Sequence, residues 1–292
     1  MFRPFRPPIG WADLLQRTAR EVVADNCLGL AAQLAYYFFL SLFPALLFLV
    51  ALASFMPVSG LIDTITAALG RIAPQEVIDL VQGQLILIAK AKNGGLLTLG
   101  IIGTLWSTSS GLSAAIDALN QTYDIAERRP FWKTKLLALA LTVVLAVFLV
   151  ASFALVMVGP GIGERLAAWL HLGPVFGWTW WVLHWPVVFT LMMAGVALIY
   201  YYAPDAEQTW DRILPGSLFA TLIWIGTSLA FRFYITHFAS YNATYGAIGA
   251  VIVALLWFYV SALVLLVGAE LNAEILHAWS SQAPRSGRSS AA

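Results

Sequence analysis

Hydrolytic or redox chemistry needs metal ligands, nucleophiles or paired acids at short spacing, and this chain offers few. His171, His184, His237 and His277 are scattered, Cys27 is the single cysteine, and neither an HExxH nor a CxxC pattern occurs. No metal site and no intramolecular disulfide is therefore expected. The absence of a Walker A loop argues against ATP hydrolysis by this chain. Metal-assisted phosphodiester cleavage would need clustered acids, for which Asp205, Glu207 and Asp211 are the best candidates. The same trio reads first as a solvated connection that ends in a helix-start acid. Neither an enzyme nor a cofactor is expected.

Most of the remaining chemistry is polar groups in apolar surroundings. Gln33, Tyr37 and Ser41 recur every four residues, with Tyr36 beside them, and so share one helical face. Pro44 frees the carbonyl of Leu40, which in hydrocarbon needs another helix, water or a ligand. A second apolar stretch carries Thr104, Ser107 and Ser110 along a stripe of small residues that includes Gly100, Gly111 and Ala115. A third polar patch, Ser240-Tyr-Asn-Ala-Thr-Tyr-Gly246, places Tyr241, Asn242 and Tyr245 at the start of an apolar helix closed by Glu270 and Asn272. Two readings stay open for these residues: they glue helices together, or they line a polar pathway. Along the last helix Gly246, Ala250, Ala254, Ser261 and Gly268 form a small face that a neighbouring backbone can approach closely. Among the cations, Arg128 and Arg129 precede Phe131, Trp132, Lys133 and Lys135, a basic and aromatic anchor compatible with headgroup contact. Arg232 lies near the far end of its apolar stretch, where it snorkels or pairs with an anion.

The elements that must hold these groups are membrane helices. The 292 residues are 60% hydrophobic and only 11% charged, with a mean hydropathy of +0.81; a soluble domain carries about 25% charged residues. A net charge of +1 gives no field for nucleic acid, which is not expected as a partner. The apolar runs predict an all-α, polytopic bundle of six spans, at about 29–56, 94–119, 136–158, 178–202, 213–236 and 245–270. The first run is too long for a signal segment and reads as an uncleaved span. Residues 1–27 form a basic segment with a helical apolar period, either a surface helix or a flank that sets orientation. Residues 57–93 read as short amphipathic helices outside the membrane, and 278–292 as a disordered tail. With both termini inside, eleven of the sixteen Lys and Arg fall on the inner side and four on the outer.

Several runs resemble signatures of the YihY/BrkB family of bacterial inner-membrane proteins. They are Ala31-Ala-Gln-Leu-Ala-Tyr-Tyr-Phe-Phe-Leu-Ser-Leu-Phe-Pro44, Leu105-Trp-Ser107, Ala118-Leu-Asn120 with Tyr123 and Glu127-Arg-Arg129, and Ser240 to Gly246 through Gly268-Ala-Glu-Leu-Asn272. The resemblance spans about residues 25 to 277 and implies six helices in the inner membrane. It also implies a part in envelope maintenance, serum resistance or virulence, with envelope-lipid transport suggested for such proteins. An older ribonuclease label attached to the family finds no support in these residues. Membrane lipids and envelope proteins are the expected partners, and transport of an envelope lipid or other amphiphile is the expected role, with a scaffold as the alternative.

Overall fold

In hydrocarbon each backbone amide must be satisfied within its own segment, and long apolar runs therefore become helices. A computed structural model of the protein describes residues 9–55, 94–169, 174–238 and 241–282. Among the described residues there are seven helices: α1 (Trp11–Ala24), α2 (Cys27–Phe55), α3 (Gly94–Thr122), α4 (Phe131–Trp169), α5 (Pro174–Tyr202), α6 (Trp210–Phe238) and α7 (Tyr241–Gln282). Among the described connections, short turns join α1 to α2, α3 to α4 and α5 to α6, and the described residues hold no strand. The all-helical expectation is met. Each of α2 to α7 overlaps one expected span. Of the described helices four are long and apolar enough to cross a membrane, or five if α1 and α2, bent by 64° at their junction, act as one. The amphipathic loop expected over 57–93 lies outside the described residues, as do residues 1–8 and the tail beyond Gln282.

Helix ends differ from the sequence reading in a consistent direction. α4 runs on to Trp169 through Gly159-Pro-Gly161, where a stop near Val158 is expected. One proline removes one donor, which a membrane helix tolerates. α5 begins at Pro174, a residue suited to a first helical turn because its missing N–H has no intrahelical acceptor anyway. α7 continues to Gln282, so its 42 residues measure about 63 Å. That is twice a hydrocarbon core of about 30 Å, and α7 must project beyond it.

The six long helices close a ring. Each of α2 to α7 packs on the next, α7 returns to α2, and α3 also touches α7. α1 sits outside the ring on α7 and α2. Its buried Leu14 meets Leu271 and Ile275 of α7, flanked by Ile9, Phe219 and Trp279. The N-terminal helix thus buries Leu14 and Thr18, while Trp11, Leu15 and Val23 stay exposed.

Two left-handed residues set the turns. Asn26, at φ 53°, ends α1 and lets α2 leave at its angle. Asp124, at φ 54°, ends α3: its N–H donates to Gln121 O (3.0 Å) and the Ile125 N–H to Asn120 O (2.9 Å). This is a Schellman closure with an acid in place of the usual glycine.

Candidate functional site

Polar side chains gather at one end of the ring, where the N-terminal half of α2, the C-terminal halves of α3 and α7, and the facing ends of α5 and α6 bury most of the core. Pro215 interrupts the first turns of α6, and Asn272 of α7 repairs them. Its Oδ1 accepts from the Gly216 N–H (2.7 Å) and its Nδ2 donates to Ile213 O (3.1 Å). That geometry needs α6 and α7 almost in backbone contact. A Cβ on Gly216 would overlap the Gly268 carbonyl, and one on Gly268 would strike the Tyr200 hydroxyl and lie 2.7 Å from Ala220 Cβ. Fully buried Tyr200 donates to Leu265 O (2.6 Å) and brings α5 into the same junction. Close by, the Cys27 thiol donates to the buried Glu270 carboxyl (3.4 Å), tying α2 to α7.

A second polar cluster joins α3, the α3–α4 loop and the end of α5. The Arg129 guanidinium meets Glu127 side-on, with Nε to Oε1 and Nη2 to Oε2 both at 2.7 Å. Its Nη2 also donates to Ala203 O (2.7 Å), beyond the last turn of α5, where a cation suits the carbonyl end of a helix. Asn120 donates to Glu127 Oε2 (2.9 Å) and accepts from the Asp205 N–H (2.8 Å). Asp205 Oδ2 accepts from the Arg128 N–H (3.0 Å), and its Oδ1 lies 3.6 Å from Arg129 Nε. Hydrogen bonds from Arg129 hold the Glu127 carboxyl below its ordinary range, and Glu127 holds the guanidinium above its own. We call this cluster the clasp.

Beside that junction, residues of α2, α4, α5, α6 and α7 line a cavity of about 360 Å³. Phe38, Leu145, Phe148, Leu191, Met192, Val196, Ile199, Val264 and Leu265 make its walls, and Gly195 opens toward it. Hydroxyls are few, those of Ser152, Thr221 and Ser261, and the last two are engaged. Thr221 donates to Ser217 O (2.7 Å), and Ser261 accepts from Trp224 Nε1 (3.0 Å). The lining is hydrocarbon.

None of the expected pathway residues lines this cavity. Gln33 is exposed, Tyr36 is 56% exposed, Tyr37 packs on the core, and Ser41 donates to Phe38 O of its own helix (2.7 Å). On α3, Ser107 is half-buried and Ser110 donates to Trp106 O (2.9 Å), while the buried Thr104 hydroxyl lacks a partner. The backbones of Pro44, Tyr241, Asn242 and Tyr245 lie in α2 and α7, with their side chains outside the described residues. Arg128 and Arg232 are exposed. Arg129, expected at headgroups, is turned inward to the clasp. Glu270 and Asn272 are buried where three helices meet. Sequence reasoning missed Asn120, Glu127 and Asp205 as a unit, although Asn120 and Glu127 stand in a recognised signature. It missed the cavity entirely, because residues such as Leu191 and Val264 look like any other apolar wall.

Among the described residues no three His, Cys, Asp or Glu side chains are placed to hold a metal ion. The family described as "Virulence factor BrkB" matches residues 18–291. The ribonuclease-like protein YfkH of Bacillus subtilis is 35% identical over 247 residues, 85% of this chain and 89% of that protein. A UPF0761 membrane protein of Aliivibrio fischeri (strain MJ11) is 28% identical over 273 residues, covering 91% of this chain and 84% of its own. A shorter stretch of 83 residues is 36% identical to a UPF0761 membrane protein of Pseudoalteromonas translucida, 28% of either chain. No solved structure matches. With a match across nearly its whole length and a ring of apolar helices to fit it, this chain belongs to the BrkB family of membrane proteins.

Proposed function

We propose that the protein is a carrier, or the membrane component of one, for an envelope lipid or similar amphiphile, working without ATP hydrolysis and without an enzymatic step. The observation that supports this reading is the cavity of about 360 Å³ among α2 and α4 to α7. Its hydrocarbon walls suit an acyl chain, whereas a polar solute entering it would lose water and gain almost no hydrogen bonds. In this reading the ring stands in a bacterial inner membrane with both termini in the cytoplasm, the side on which most Lys and Arg fall. A structural role in the envelope is the second reading. It is favoured by the packed end, where Asn272 and Arg129 serve helix backbones. The name of the Bacillus relative raises ribonuclease action. Asp205 here belongs to the clasp while Glu207 and Asp211 stand exposed, an arrangement that lends it no support.

The test is movement of headgroup-labelled phospholipid in proteoliposomes holding only this protein, with and without a proton or sodium gradient. Protein-dependent movement that is lost in Gly195→Leu, which fills the cavity, is the expected result. No movement under any condition from a folded sample would overturn the carrier and leave the structural role.

A further inference from the structure

The start of α4 carries charges that neither the clasp nor the cavity uses. A helix start favours anions, because its first amides have no intrahelical acceptor and the dipole is positive there. α4 has no acid in its first turn and carries Lys133 and Lys135 instead. Lys135 is half-buried at the edge of its span. Its ammonium donates to Ser110 Oγ of α3 (3.1 Å) and lies 5.0 Å over the Trp106 ring. Both partners are neutral. Among the described residues the ion pairs join Arg129 to Glu127 and Asp205, and His277 to Glu274. Lys135 has no carboxylate. An ammonium drawn partly out of water without a counter-charge is costly, and among the described residues the acid of α3, Asp117, stands two turns from Ser110 and forms no ion pair with Lys135.

The surroundings define what would. Trp106 is 68%, Trp132 62% and Phe131 84% exposed. Phe131 and Trp132 stand four and three residues before Lys135 and so share its side of the helix. Exposed tryptophans beside lysines at the end of a span are side chains of the headgroup layer. Lys133 lies over the Trp132 ring (5.4 Å), which adds a second positive charge at the start of α4.

We propose that this α3–α4 groove, centred on Lys135, Ser110 and Trp106, binds the phosphate of an anionic phospholipid. Lys135 supplies the counter-charge, the Ser110 hydroxyl beside it offers a hydrogen bond, and Trp106 and Trp132 flank the glycerol. The site is independent of any transport activity. The full-length protein in detergent micelles is titrated with phosphatidylglycerol, with phosphatidylcholine of the same chains and with inorganic phosphate, and bound lipid is counted by native mass spectrometry. Phosphatidylglycerol is expected to bind in preference to phosphatidylcholine. Its apparent affinity should fall about fivefold in Lys135→Gln and stay at the wild-type level in the Arg17→Gln/Arg20→Gln control. If Lys135→Gln does not fold, Trp106→Leu, which alters an exposed ring, takes its place with a loss of the same sign. Equal binding of the two lipids, wild-type affinity in the site variant, or an equal loss in the control overturns the site. Competition by inorganic phosphate at matching concentration overturns its assignment to a lipid.

Discussion

The junction of α5, α6 and α7 and the cavity beside it share helices but solve opposite problems. At the junction, Gly216 and Gly268 bring two backbones together, and Asn272 and Tyr200 complete hydrogen bonds that Pro215 and close packing leave open. In the cavity the same helices stand apart, lined almost wholly by apolar side chains. The contrast shows that small residues in a membrane helix carry two meanings. Gly268 is small because another backbone occupies its side-chain space, and Gly195 is small beside open space, its nearest side-chain atom 4.0 Å from where a Cβ would sit.

One substitution made in both places tests that difference most severely. Gly268→Ala is expected to destabilise the protein by about 3 kcal/mol or more, since neither the Tyr200 hydroxyl nor the helix backbone has room to move. Gly195→Ala should be neutral or stabilising by up to about 1 kcal/mol, as for a glycine in a helix interior. Thermal unfolding of the two variants in one detergent reads the pair, and equal losses would erase the distinction.

Asn272→Leu removes the partner of the Gly216 N–H and the Ile213 carbonyl together. Two buried backbone groups left unpaired should lower stability by about 2–4 kcal/mol, which a chemical denaturation midpoint would show. The clasp is more exposed and correspondingly weaker. Arg129→Ala, which strips Glu127 and the Ala203 carbonyl of their donor, should cost about 1–2 kcal/mol. A loss as large as that of Asn272→Leu would place the clasp among the buried anchors.

The smallest effect is a pH dependence. Glu127 has its carboxyl held below the ordinary value of 4.5 in the folded protein. Its stabilising contribution is therefore fully present above about 4.5 and is lost as pH falls through the lower, folded value. On acidification through that window the wild-type Tm should fall faster than that of Glu127→Gln, whose side chain does not titrate. Parallel curves for the two proteins would show that the Glu127–Arg129 pair adds no pH-linked stability.

Much of the fold was legible in the amino-acid order because the membrane enforces it. Uninterrupted apolar runs of span length had to become helices. The spacing of Ser261 and Gly268 marked a face for close approach, and α6 occupies it through Trp224 and Gly216. The site was legible only in part. Gln33, Tyr37 and Ser41 do lie on one side of α2, but periodicity says which residues share a face and not which neighbour that face meets. Arg129 looked like a surface cation, and its inward turn depends on Glu127 two residues away and on an α5 terminus more than seventy residues further along.

The sequence by itself determined the class, the helical content and the approximate spans, because composition and run length act locally and hydrocarbon penalises every unpaired amide. Only the tertiary structure decided which small residues are pressed against backbone and which border empty space, which polar groups repair a helix, and where the ring leaves a cavity. Those depend on distances between residues far apart in the chain, and no local pattern encodes them.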